Sequence, residues 1–536
     1  MSFKKDTLSI SELDLTSGGK LLFPQLLKDY INGEASLQAH YQLAPELSSF
    51  SQALEQKANE NIDRTTLVEV LTQQYTGIGD APSNIALLAE ENTFTITTGH
   101  QLCLFTGPLY FCYKILTVIN ITEQLRKEHP DKNFVPMFWM ASEDHDFEEV
   151  NHFHLFGKTM TWEAEAGDAV GRMSTSGVGS VVAELKEKLS SDEKGMGILK
   201  VFEKAYSESK NLAEATRVLV HSLFGKYGLV IIDADDSRLK ARFRDVMKAE
   251  VEKNASMHAM QEAYDSLSKS YSLPVKSRNI NLFYFHDGKR RRLEQNSSGN
   301  IEVLDTEVSF SVADCVKMIE EEPQNFSPNV VLRPLYEEMI LPNLAYIGGP
   351  AEIAYWLELK GIFDIHNVSF PILMQRNSLL ILGGGEVKRQ EQYNLSLSDL
   401  LEDPDKQVKS IVTANSDEDL SLDKEKGELS NIYKELLARA KEIDASLEQS
   451  VKADESRAIG QLDNLEKKLL KAAKRKNESG VNQIKRLFEA VFPNGSFQER
   501  YDSLFSLLVR YDLEVIDQIK DAIDPFDSSL TILSEN

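Results

Sequence analysis

The chain has 536 residues, with 84 acidic against 59 basic side chains and a formal net charge of −25. That length exceeds the ~250–300 residues at which one hydrophobic core stops growing, so at least two structural units are expected. The acidic surplus argues against an obligate duplex or long-RNA partner, which needs a basic footprint, and 42% hydrophobic with 27% charged residues is globular rather than disordered composition.

Taken in chain order, residues 1–90 read as mostly helical, packing on a core. A β-rich run, Thr93–Thr98, then leads into a glycine-bearing turn, Gly99–Gly107, and Pro108 opens an apolar helix where proline is best tolerated. Phe134–Met140 is a second strand, which makes a βαβ unit over 91–156. Polar helices fill a connecting insertion, 157–225. The core resumes at 226–271 with the strand Leu229–Ile232. A second insertion with alternating runs covers 272–330. The second half of the core, 331–385, holds strands at Leu344–Ile347 and Phe370–Met374. Strands alternating with helices predict a discontinuous Rossmann-like, doubly wound parallel sheet, an α/β fold. The last stretch, 386–536, reads as a helical coiled-coil segment. Leu401–Asp423 is acidic and suits a linker. From Leu436 to Ala472 apolar residues recur at alternating spacings of three and four, with a defect expected at Asp454–Glu455. A long apolar seam predicts a homodimer, with an internal hairpin as the competing outcome.

Cys103, Cys112 and Cys315 form no C-x-x-C pair, so neither a disulfide framework nor a cysteine-only zinc site is expected. Reduced thiols in the cytoplasm are the plain reading. No apolar run approaches the ~20 residues that span a bilayer, so no membrane association is expected.

Ligands of an open α/β sheet bind at the carboxyl ends of its strands, and four polar clusters sit there. The first is Gly99-His100-Gln101 with Thr106-Gly107, which as a glycine turn before a helix can hold an anion or can be a simple tight turn. Lys114, two turns into that helix, reads as a phosphate partner or, more ordinarily, as a surface lysine. The second cluster is Glu143-Asp144-His145-Asp146, near His152 and His154. It offers a general base, an amine site or metal ligands, against the bland alternative of a helix-capping acidic turn. Its spacing matches no strong zinc signature, and no metal is assigned. The third comprises Arg333, Asn343, Tyr346, Gly349, Glu352 and Tyr355, where arginine can fork onto a carboxylate or phosphate. The fourth is Arg376-Asn377-Ser378. Cys103 has no evident base beside it and reads as packing.

Together the blocks TTGHQLCLFTGPLYFCYKI, PMFWMASEDHDFEEVNH, LVIIDADD, LRPLYEEMILPNLAYIGGPAEIAYWLELK, PILMQRNSLL and FPNGSFQERYDSLFSLL resemble the bacillithiol-biosynthesis cysteine ligases over nearly the whole chain. The resemblance implies a Rossmann-like core akin to class I aminoacyl-tRNA synthetases and a dimerising C-terminal coiled coil. It implies an amide-forming enzyme whose substrates are L-cysteine and glucosaminyl malate. Asp144, His145 or Asp146 would take the amine proton. Arg333 and Arg376 would hold carboxylates or a phosphate. Asn343, Tyr346 and Glu352 would orient the sugar or the cysteine ammonium. The first loop reads TGHQ in place of a strict H-x-G-H, and K-M-S-K-S is absent. The energy source, ATP or another nucleotide, therefore stays open. Two rival readings stand beside this one: a dimeric nucleotide-binding regulatory protein with a decayed ligase site, and a non-catalytic coiled-coil scaffold.

Overall fold

A computed structural model describes residues 2–165, 169–414 and 421–536. At its centre lie five strands: β1 (Thr93–His100), β2 (Asn133–Met140), β3 (Val230–Asp233), β4 (Asn343–Gly348) and β5 (Ile372–Gln375). Their spatial order is β3-β2-β1-β4-β5, and every pairing is parallel. Chain order reverses direction at β1, so the crevice between the ends of β1 and β4 is the topological switch point where such sheets bind ligands. The strands are buried on both faces, as a helix-covered parallel sheet requires. Helix α1 (Tyr110–Glu128) joins β1 to β2 and packs Val118, Ile121 and Leu125 onto Phe94, Ile96 and Phe134. Helix α2 (Arg333–Ile340) precedes β4, and the short α3 (Pro350–Trp356) follows it.

The insertion after β2 folds as helices Val178–Lys188, Glu193–Ser207 and Leu212–Phe224. The one before β4 holds a five-stranded antiparallel sheet that includes Leu282–His286 and Lys289–Gln295. The N-terminal region carries helices such as Gln25–Ile31, Phe50–Lys57 and Arg64–Gln74, together with strand structure its helical reading did not include. It opens with a strand, Phe3–Ser9, whose sheet neighbour is Ser529–Glu535. A partner some five hundred residues away leaves no local periodicity to detect.

The chain divides into two units, Met1–Ile381 with Ser496–Leu533 and Leu382–Gly495 with Ser534–Asn536. Part of the expected coiled-coil segment thus belongs to the first unit. Within that unit Asn120 donates to the carbonyls of Lys520 and Ile523. The second unit holds two long helices, α4 (Asp423–Ile443) and α5 (Glu448–Lys476), neither with a buried residue. They form a hairpin, pinned where Lys426 meets Asp463 at 2.7 Å and Glu466 at 2.5 Å. The helix runs unbroken through Asp454–Glu455, because exposed acids do not interrupt a helix. The chain turns instead at Asp444, whose carboxylate accepts from the Ser446 N–H and caps the next turn. Within the expected linker, Pro404–Ala414 is helical; residues 415–420 lie outside the described residues.

Candidate active site

A cavity of about 610 Å³ opens at the switch point. The ends of β1 and β4 bring Gly99, His100, Gln101, Tyr346 and Gly349 to it, α1 brings Lys114, and α3 brings Glu352 and Tyr355. Arg333 and Glu337 reach it from α2, one helical turn apart and so on one face. Arg376 enters from the end of β5, and Gly107 closes the first loop. Gly107 has φ +62°, and a Cβ there would lie 2.5 Å from that of Cys103, so only glycine fits this turn.

Charge in the cavity is mostly paired. Lys114 is no surface lysine. Its side chain is 2% exposed, and its ammonium donates to both oxygens of Glu352, at 2.9 and 2.8 Å, and to the Gly99 carbonyl. Glu352 also accepts from Tyr346 Oη and from the Gly349 N–H, both at 2.7 Å. Burial raises the Glu352 carboxyl, but Lys114 outweighs it and holds the pKa below the ordinary value. One carboxylate thus ties the ends of β1 and β4 to the start of α3. Glu352 and Lys114 are spent on each other, and a ligand meets them as a neutral pair.

Arg376 is similarly engaged. Its Nη1 and Nη2 fork onto Glu499 at 3.0 and 2.6 Å, both side chains at most 2% exposed. Its Nε has no hydrogen-bond partner and lies toward Gly349. His100 points Nδ1 at the Gln101 carbonyl, 2.8 Å away, so that nitrogen carries the proton. Burial, then Lys114, pushes its pKa down to about 4, and the ring is neutral at pH 7. Burial pushes the Cys103 thiol up to about 12, which removes it as a thiolate nucleophile.

Seven residues expected in the site do not line the cavity: Thr106, Asp144, His145, Asp146, Asn343, Asn377 and Ser378. Asn343 begins β4, at the opposite end of the sheet. Five residues of strand, about 16 Å, separate it from Gly348. Its amide accepts from Thr95 and Thr97 and donates to Glu338, locking strand starts together. Asn377 and Ser378 are buried; Asn377 bonds Thr117 and the Asp524 carbonyl, while Ser378 braces Arg376 and Glu499. Thr106 is buried under its loop.

The acidic turn lies beside the first loop, since Gln101 Nε2 donates to Asp144 Oδ2 at 2.5 Å. Asp144 sits behind the cavity wall, however, where it accepts from Arg333 Nη1 at 3.1 Å and from Arg290 Nη1 at 3.3 Å. Burial pushes its carboxyl up, but Arg333 and Arg290 hold it below the usual range, which disqualifies it as a base near neutrality. His145 is exposed, with Nδ1 facing Arg290 at 3.3 Å, and Asp146 caps the short helix Phe147–Val150. The turn fixes Arg333 rather than presenting a base.

Sequence patterns did not single out Glu149, Glu337, Arg500 or Tyr501, all of which line the cavity. Glu337 was detectable. It lies four residues after Arg333 on the same helix, in a run of mostly apolar buried residues that also includes Glu338.

Residues 8–377 match the family described as Bacillithiol biosynthesis BshC, N-terminal Rossmann-like domain, and residues 380–535 match its C-terminal coiled-coil domain. A relative from Flavobacterium johnsoniae named "Putative cysteine ligase BshC" is 41% identical, covering 96% of this chain and 97% of its own. Relatives of the same name from Cytophaga hutchinsonii (38%, covering 94% and 95%) and Bacillus cereus (27%, covering 92% and 95%) match almost as completely.

Proposed function

We propose that this chain, which belongs to the bacillithiol biosynthesis BshC family, is a cysteine-adding ligase that forms an amide between L-cysteine and the amino group of glucosaminyl malate. The observation that carries this reading is the cavity itself. At the switch point of a parallel sheet it is lined by Arg376 and Glu337, whose buried Nε and Oε1 have no hydrogen-bond partner among the described residues. Both reactants carry a carboxylate and an amine, and these two buried groups are complementary to such ligands.

Arg376, with Arg500 on the same wall, suits a carboxylate or phosphate oxygen. Arg333, held by Asp144, presents a fixed positive edge, and Gln101 with the neutral His100 supplies uncharged polar contacts. When bound, ATP or another nucleotide would supply carboxyl activation, and these cations fit its phosphates. The neutral Lys114–Glu352 pair holds the loop and strand ends in place.

The second unit serves dimerisation in this reading. Its hairpin leaves Ile432 54%, Leu436 44%, Ile443 80%, Leu465 46% and Leu469 36% exposed, an apolar stripe that a second copy would cover. Among the described residues no helix is long and apolar enough to cross a membrane. A cytoplasmic location suits the three unpaired cysteines and the small soluble substrates.

The test is incubation of the protein with cysteine, glucosaminyl malate and ATP, following amide product together with AMP or ADP. Product that depends on all three is expected. Nucleotide binding without any product would favour the regulatory alternative and overturn the ligase reading.

A further inference from the structure

Glu337 is the buried acid lining this cavity whose carboxyl keeps an oxygen without a partner among the described residues. It is 3% exposed and lines the cavity, yet its Oε1 has no hydrogen-bond partner among the described residues. Its neighbours all have prior engagements: Lys114 with Glu352, Arg333 with Asp144, and Glu338 with Lys57 and Asn343. A buried polar atom without a partner costs about 1–3 kcal/mol, so a ligand group that satisfies one beside the cavity recovers that cost.

The charged and titratable groups facing Glu337 are Lys114, Arg333, Glu338, Glu352, Tyr346 and Tyr355. Burial and then Glu338 raise its carboxyl well above the ordinary value, and the cations opposing that shift are already paired. Among the described residues nothing paired to Glu337 favours its ionised form in the free protein. A ligand cation is what would make its ionised form favourable.

We propose that Glu337 is the amine-recognition residue of the cavity, pairing with the amino nitrogen of the acceptor and so selecting acceptors with a free amine over their N-acylated counterparts. This rests on the cavity being the acceptor site of the ligase. An ammonium beside the carboxyl favours its ionised form, so binding is coupled to release of protons to solvent. An N-acylated acceptor has neither the charge nor the basic nitrogen, and it releases none. It also leaves the buried oxygen unsatisfied, which is how a site built for a hydrogen bond rejects the analogue lacking it.

The test is titration calorimetry of the whole protein at pH 6, where a primary amine is protonated. Glucosaminyl malate and its N-acetylated counterpart are compared, in buffers of different ionisation enthalpy that report protons released. The wild-type protein should release protons on binding glucosaminyl malate and bind the N-acetylated compound more weakly. Glu337→Gln keeps the shape and removes the charge. It should abolish proton release and weaken glucosaminyl malate by about ten- to a hundredfold, with little change for the N-acetylated ligand. Glucosaminyl malate binding unchanged in Glu337→Gln, or wild-type binding without proton release, would overturn the assignment of Glu337 and leave the ligase reading intact. If neither compound binds the wild-type protein, the acceptor site itself is misassigned and both claims fall. Absence of wild-type proton release refutes the assignment even if the variant folds poorly.

Discussion

Replacing Asp144 by Asn removes one negative charge from between two guanidinium groups. In the wild type its two oxygens answer Arg333, Arg290 and Gln101 together, and the side chains of Asp144, Arg290 and Arg333 are 14%, 3% and 19% exposed. The variant keeps the shape but turns an amide N–H₂ toward donors. Breaking a buried ion pair from one side costs about 3–5 kcal/mol, because the remaining charge stays buried and unpaired. Arg290 retains Ser327 Oγ at 3.0 Å and the Pro328 carbonyl at 2.9 Å, and Arg333 is partly hydrated, so the loss falls near the lower end, about 3 kcal/mol. Urea unfolding at pH 7, followed by tryptophan emission, measures the loss. The sign with pH is fixed. The folded carboxyl titrates below its unfolded value, so its contribution is present above the ordinary carboxylate range and lost as pH falls through the folded pKa. The difference between wild type and variant must therefore shrink in acid. A loss under about 1 kcal/mol at pH 7, with no dependence on pH, would refute the claim that Asp144 neutralises this pair.

Three further outcomes are expected. Burial holds the Glu358 carboxyl up at about 8, so the folded state binds more protons than the unfolded one from the ordinary carboxylate range to about pH 8. Wild-type stability should fall with rising pH across that window, and Glu358→Gln should flatten the profile in thermal melts at pH 5 and pH 8. A Cβ on Gly361 would stand 2.2 Å from the Ala259 carbonyl oxygen, so Gly361→Ala should cost about 1–3 kcal/mol in urea unfolding; an unchanged midpoint would contradict the close approach of those helices. Leu465→Glu with Leu469→Glu should convert a dimer to a monomer in light scattering while helical circular dichroism is retained. A wild-type monomer at micromolar concentration, or a variant that stays dimeric, would remove the hairpin stripe as the interface.

The sequence by itself determined the sheet and where its ligand site must be. β-rich runs such as Thr93–Thr98, each ending in glycine or polar residues before a helix, encode a parallel sheet locally, and the carboxyl ends of its strands follow from topology alone. It also showed the amphipathic helices of the second unit, because their period is local. What only the tertiary structure decided was partnership. Asp144, Lys114, Glu352, Arg376 and Glu337 look alike in sequence as polar residues on the segments that connect the strands. Four are neutralised by partners distant in sequence, Arg333, Glu352, Lys114 and Glu499, and only Glu337 keeps an unsatisfied buried oxygen. Whether an ionisable group is held for the fold or left for a ligand depends on which opposite charge lies within a few ångströms and how much water is excluded. Neither quantity is written in local sequence.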